Sequence, residues 1–206
     1  MDKKILIAVP CMDMVHASFA QSLASLNKVG QCMVNFSVGS LIYDSRNKLA
    51  AKAMKEEADY ILWLDSDMVF SPDLLEKLVE DDKDVVSGIY FRRTSPYTPV
   101  IFKDSELKDS KLEWTDYVEY PKETLFKVAG VGFGCVLMKA DILFDMIGRF
   151  GDWFSPLYSS GEDLSFCYRA RELGYEIWCD SRVKCGHMSH QMITEDFYEA
   201  FRREII

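Results

Sequence analysis

The chain has 206 residues, of which 49% are hydrophobic and 28% charged, and its formal net charge is -9. Such a chain is long enough for one domain with a sizeable core, so residues 1–206 are read as a single unit, and its composition excludes a disordered polymer. The acidic excess excludes a protein whose main partner is the nucleic-acid backbone, which needs clustered lysine and arginine, so no nucleic-acid binding is expected; it is compatible with a cation site that in turn holds an anion.

Met1-Asp2-Lys3-Lys4 leads into the short apolar run Ile5 to Val9, too brief for a signal peptide or a transmembrane segment. That run reads as a first strand, and the expected compartment is the cytoplasm. The six cysteines contain no Cys-x-x-Cys pair and are expected as free thiols. Val15, Phe19, Leu23 and Leu26 then recur at helical spacing until Gly30. Gln31 to Val38 is a second strand. Ser45 is placed to cap a helix that turns Leu49, Ala53 and Met54 inward, and Tyr60 to Leu64 is a buried strand ending on Asp65.

Pro72 suits the first turn of a helix reaching about Glu80, and Asp84 to Tyr90 is the next strand. From Arg92 to Thr124 the chain turns polar and is broken by Pro96, Pro99 and Pro121. This stretch is expected as an excursion that either borders a substrate pocket or packs as a surface loop. Gly130, Gly132 and Gly134 lead into the strand Cys135 to Met138; such a run lets backbone approach a ligand or marks a bulge. Asp141 caps a helix to Ile147, Gly161 and Gly174 frame another, and Tyr175 to Cys179 is a strand. Ile193 to Ile206 closes the chain as an amphipathic helix whose stripe Ile193, Phe197, Phe201 and Ile205 can dock on a partner or a membrane surface, or pack back on its own sheet.

Alternating strand and helix patterns imply an α/β fold with a mixed, mostly parallel central sheet covered by helices on both faces. Ligands bind such sheets beyond the carboxyl ends of the strands, where Pro10, Cys11 and Asp65 fall. Asp65-Ser66-Asp67 carries the chemistry: two carboxylates just past an apolar strand can converge on one cation. Oxygen ligands with open positions suit Mn2+ or Mg2+, which also take the oxygens of a diphosphate.

In this order, Ile5-Leu6-Ile7-Ala8-Val9-Pro10, Ser45-Arg46-Asn47, Asp65-Ser66-Asp67, the glycine strand from Gly130, Gly161-Glu162-Asp163 and His187 resemble glycosyltransferases of the GT-A fold, a Rossmann-like fold, and especially their compact inverting, family-2-like group. The resemblance covers nearly the whole chain. It implies a metal-dependent glycosyltransferase (a hexosyltransferase) that moves a sugar from a UDP- or GDP-sugar to a hydroxyl acceptor on a glycan, small molecule or protein. It implies further that Asp67 ligates the metal directly, that Asp65 contacts the ribose or reaches the metal through water, and that His187 completes the metal shell, with His190 competing. Asp163, beside Glu162, looks like the base that deprotonates the acceptor. Arg46 and Asn47 look like donors to the nucleotide or its diphosphate, with Ser66 and Gly132 also on the sugar-nucleotide side. Pro10 and Cys11 resemble the first loop, which wraps the base. Members often carry an acid after the second strand; here Phe36-Ser37-Val38-Gly39 stands there, and Asp44 is the substitute.

Two other readings of these residues stay open at the level of sequence. A haloacid-dehalogenase-type phosphatase also ends an apolar strand in Asp-x-Asp and would use Asp65 as a nucleophile. A non-catalytic module could hold zinc through Cys179, Cys185, His187 and His190.

Overall fold

The computed structural model describes residues 3–189 and 192–202. The first half alternates as expected: β1 (Lys4–Cys11), α1 (Ala17–Ser25), β2 (Gln31–Val38), α2 (Ile42–Lys55), β3 (Tyr60–Leu64), β4 (Met68–Val69), α3 (Leu74–Glu80) and β5 (Val85–Ile89). Then follow β6 (Ile101–Lys108), β7 (Lys111–Asp116), β8 (Leu125–Val128), β9 (Gly130–Val131), β10 (Cys135–Lys139), α4 (Ile142–Phe150) and α5 (Glu162–Glu172). The chain ends through β11 (Ile177–Lys184), β12 (Gly186–Met188), β13 (Met192–Ile193) and α6 (Glu195–Arg202).

Seven strands form the central sheet in the order β2-β1-β3-β10-β5-β11-β8. β1 lies parallel to β2 and β3, and β11 parallel to β5. β10 runs antiparallel between β3 and β5, and β8 antiparallel along β11. The sheet is therefore mixed and mostly parallel.

The two-residue period of a strand divides β1 between two cores. Leu6 and Ala8 pack with Leu49 and Ala53 of α2 and with Phe166 and Ala170 of α5. Ile5, Ile7 and Val9 pack with Phe19 of α1 and with Leu74, Leu75 and Leu78 of α3. Covering both faces is why these strands read as unbroken apolar runs. Complete burial of one such side chain contributes roughly 1.5–3 kcal/mol.

Three expectations change, and the open choice for the last helix closes. The second helix starts at Ile42 rather than at Ser45, which sits buried in its first turn with its amide donating to the Leu41 carbonyl. The 92–124 stretch is not all loop, because β6 and β7 make an antiparallel hairpin. Its turn, Asp109-Ser110, has positive φ at both residues, the backbone of a type I′ turn that Asn-Gly would have announced. α4 runs on to Phe150 and stops at Gly151, which adopts the left-handed conformation. α6 packs back: Tyr198 is buried and stacks on Phe91 at 4.8 Å, Ile193 is buried, and Phe197 meets the Tyr97 ring edge-on. The Phe201 side chain and Ile205 lie outside the described residues. Among the described residues no helix is long and apolar enough to cross a membrane.

Candidate active site

β3 delivers Asp65-Ser66-Asp67 to the carboxyl end of the sheet, and backbone hydrogen bonds fix the turn there. The Asp65 amide donates to the Gly134 carbonyl at 3.0 Å, the Met68 amide to the Asp65 carbonyl at 3.1 Å, and the His16 amide to the Ser66 carbonyl at 3.0 Å. β4 follows at once and pairs antiparallel with β12, setting His187 opposite Met68. The Met188 amide donates to the Asp67 carbonyl at 2.8 Å. This register brings a late histidine beside the acidic turn, with Nε2 of His187 3.6 Å from Oδ2 of Asp67.

His187 Nδ1 lies 2.8 Å from the Phe91 carbonyl oxygen, which can only accept, so Nδ1 carries the hydrogen. Nε2 is then the ring nitrogen that faces Asp67. Arg93 Nη1 reaches the same Asp67 oxygen at 2.7 Å. Burial raises the pKa of Asp67, but hydrogen bonding and charge from His187, with Arg93, outweigh it and leave the carboxyl below its ordinary value. An open cleft of about 490 Å³ lies over these groups, lined by His16, Asp67, Arg93, Thr94, Met188 and Ser189.

Beneath the turn lies a second set of charges. Arg46 on α2 is 2% exposed; its Nη2 donates to Asp65 Oδ1 at 2.9 Å and its Nε to Glu162 Oε1 at 3.3 Å. Glu162 and Asp163 open α5, where helix-end N–H groups favour negative charge. Asp163 accepts from the Leu164 amide at 2.7 Å. Its pKa is pushed up to about 6, first by burial and then by Glu162, with Arg46 opposing. Burial also raises Asp65, against the pull of Arg46. The Tyr90 phenol is driven up by burial and then by the charges of Asp65 and Asp163.

The remaining expected residues divide. Pro10 and Cys11 are the last residues of β1, still paired with Ser37 and Val38, so the first loop begins after them. Asp44 forms a helix-surface pair with Lys48 at 2.5 Å. Asn47 holds the 152–154 segment: its Nδ2 donates to Asp152 at 3.2 Å and its Oδ1 accepts from the Phe154 amide at 3.0 Å. Gly132 is buried, and Tyr90 is what approaches it; a Cβ there would collide with the Tyr90 hydroxyl, and one on Gly134 would come within 2.8 Å of Cζ. These glycines make room for Tyr90, whose hydroxyl accepts from the Gly134 amide. Arg93, Tyr90 and the Phe91 carbonyl went unread in the sequence, although an Arg-Arg pair just after a strand in so acidic a chain is a legible signal.

Asp67 and His187 suit a divalent metal as two ligands of an open site. One is an anionic oxygen and the other an imidazole nitrogen whose second ring nitrogen is already fixed by a carbonyl, the usual support for a metal-binding histidine. Asp65 differs, because Arg46 holds its carboxylate. Among the described residues no group of three or more His, Cys, Asp and Glu side chains forms a cation cage. Cys179 and Cys185 are buried in the core while His187 faces Asp67, so the cysteines and the histidine of the zinc reading serve different surroundings; His190 lies outside the described residues.

The family described as Anp1 matches residues 39–109, the stretch that carries Arg46, Asp65, Asp67 and Arg93. The mannan polymerase complex subunit mnn9 of Schizosaccharomyces pombe is 27% identical over 162 residues, which make up 65% of this chain and 47% of that protein. The chain thus spans about half the length of the curated relative it matches. Among solved structures, A197 from STIV superposes with a TM-score of 0.66 at 18% identity, covering 93% of each chain. GalNAc-T7, crystallised with UDP, GalNAc and Mn2+, superposes with a TM-score of 0.61 at 9% identity over 91% of this chain and 44% of its own. A haloacid-dehalogenase architecture is thereby replaced, and the chain takes its place among the proteins built on the GT-A glycosyltransferase fold.

Proposed function

We propose that this protein is a metal-dependent glycosyltransferase that moves a sugar from a UDP- or GDP-sugar to a hydroxyl acceptor with inversion. The observation that carries the proposal is the pairing of two acidic centres at one sheet end: Asp67 facing His187 Nε2, and Asp163 at the start of α5, with Arg46 bridging their neighbours Asp65 and Glu162. Asp67 and His187 would hold Mn2+ or Mg2+, which when bound neutralises charge on a departing diphosphate. Asp163 removes the acceptor proton as the acceptor oxygen bonds to the anomeric carbon. The bond from that carbon to the diphosphate oxygen breaks, and the nucleoside diphosphate leaves with its electron pair. With a pKa pushed up to about 6, Asp163 is ionised at neutral pH yet more basic than an ordinary aspartate, as a general base requires.

The mnn9 relative is named for mannan and the GalNAc-T7 structure holds UDP and GalNAc, so more than one sugar and nucleotide belong in the test. Thermal unfolding is followed with UDP- and GDP-sugars, with and without Mn2+, for the native protein and for Asp67→Ala. Metal-dependent stabilisation by a nucleotide-sugar, absent in the variant, is expected; at about 100 times Kd it amounts to roughly 2.7 kcal/mol. No stabilisation of the native protein by any of these donors at millimolar concentration refutes the proposal.

A further inference from the structure

We infer that Arg46 is a positioning residue that locks the Asp65-Ser66-Asp67 turn to the amino end of α5, and that it does not grip the diphosphate. The inference rests on the transferase reading above and assigns Arg46 a role different from the nucleotide contact expected from sequence. A phosphate ligand must face the cleft, whereas this guanidinium is 2% exposed and flanked by the Trp63 and Phe133 rings, 5.7 and 5.5 Å from its centre. Its donors are directed at protein: Nη2 to Asp65 at 2.9 Å and Nε to Glu162 at 3.3 Å. Nη1 is buried without a hydrogen-bond partner, so the atom left over for a ligand is closed off from solvent.

Arg46 is thus one cation shared by three elements: α2, which carries it, the end of β3 and the start of α5. α2 is itself pinned by Asn47, which hydrogen-bonds Asp152 and the Phe154 amide. A planar guanidinium with fixed donor directions sets both the distance and the angle between two carboxylates; an ammonium on a flexible stem sets neither. The bridge therefore fixes how far Asp163, next to Glu162, lies from Asp67, two positions beyond Asp65. In chemical terms it holds the acceptor's base in register with the group that holds the donor.

The test uses Arg46→Lys, which keeps the buried charge, and Glu162→Gln, which loosens only the α5 end of the bridge and so serves should the lysine variant fold poorly. Binding of UDP and GDP with Mn2+ is measured by calorimetry, and turnover and KM with the donor that the native protein accepts. Expected is nucleotide affinity within about 3-fold of native, an unchanged donor KM and turnover reduced by about 100-fold in Arg46→Lys, the scale of a 1 Å misplacement. Glu162→Gln changes in the same direction by less. A loss of more than about 10-fold in nucleotide affinity, with turnover at saturating donor preserved, makes Arg46 a diphosphate ligand and overturns the inference. Native-like turnover in either folded variant overturns it too. Failure of the native protein to bind either nucleotide is a distinct result, which removes the transferase reading and this role with it.

Discussion

Two of the arginine-bridged carboxylate pairs among the described residues, those of Arg46 and Arg182, are built inside out with respect to each other. At the end of β3, Arg46 is 2% exposed while its partners Asp65 and Glu162 keep 30% and 17% of their side chains open. Just after α3 and on β11 the acids are the buried members: Asp81 and Asp180 are 3% and 1% exposed, and Arg182, half in solvent, caps both at 2.7 and 2.8 Å. A buried arginine backing partly open acids presents negative charge to a ligand. An exposed arginine over buried acids merely closes them off. The same ionic chemistry thus serves display in one place and closure in the other, and burial decides which.

The largest contrast is expected from removing one acid at each centre. Asp163→Asn should lower turnover by roughly 10²–10⁴-fold, the usual contribution of a general base, while nucleotide binding persists. In the native protein, turnover should fall as pH drops through about 6, because the base is lost when Asp163 takes up its proton. Stability moves the other way. The folded-state pKa of Asp163 lies above its unfolded value, so its contribution is full below the unfolded pKa and lost as pH rises through about 6. Asn escapes that loss, and the variant should be more stable above pH 6 by roughly 1–3 kcal/mol in denaturant titrations. A variant less stable than native at pH 8 refutes this.

Asp81→Asn is the matching change at the closed pair. The Asp81 pKa is pushed up to about 6 by burial and then by Asp180, and Asp81 Oδ2 and Asp180 Oδ2 are both buried without hydrogen-bond partners. An amide at position 81 supplies a donor where two acceptors face each other, and Oδ1 can still accept from Arg182. The sign follows as for Asp163: the native penalty is absent below the unfolded pKa and complete above about 6. A gain of roughly 1–2 kcal/mol at pH 8, vanishing by pH 4, is expected with turnover unchanged. A drop in turnover would tie the closed pair to function and dissolve the comparison.

Which of this can be read in sequence follows from how local each feature is. Lys4 to Leu64 were readable as strand, helix, strand, helix, strand because both sheet faces are covered and the apolar runs are continuous. Asp65-Ser66-Asp67 was readable because an acid at the end of such a run has few structural reasons to be there. The Arg46 bridge was not, since Glu162 lies 116 positions away and only the folded sheet brings it near. The β6–β7 hairpin hid because more than half of its strand residues are exposed, half are charged, and its turn lacks glycine. Gly132 and Gly134 were visible as a pattern, but their partner, the Tyr90 ring, sits on another strand end.

The smallest expected effect concerns Arg93, which stands on neither side of the contrast. It is half exposed, and its ion pair with Asp67 is of the surface kind, worth about 0–1 kcal/mol. Yet its Nη1 rests on Asp67 Oδ2, the oxygen that also faces His187, so a cation binding there must displace it. Removing a competitor of that strength should tighten Mn2+ binding by roughly 2–5-fold in Arg93→Ala, measured by calorimetry without nucleotide. The gain should shrink at high salt, where the native pair is screened. Unchanged or weaker Mn2+ binding at low salt would mean that the metal does not use this oxygen, and the open centre would then have to be redrawn around Asp65.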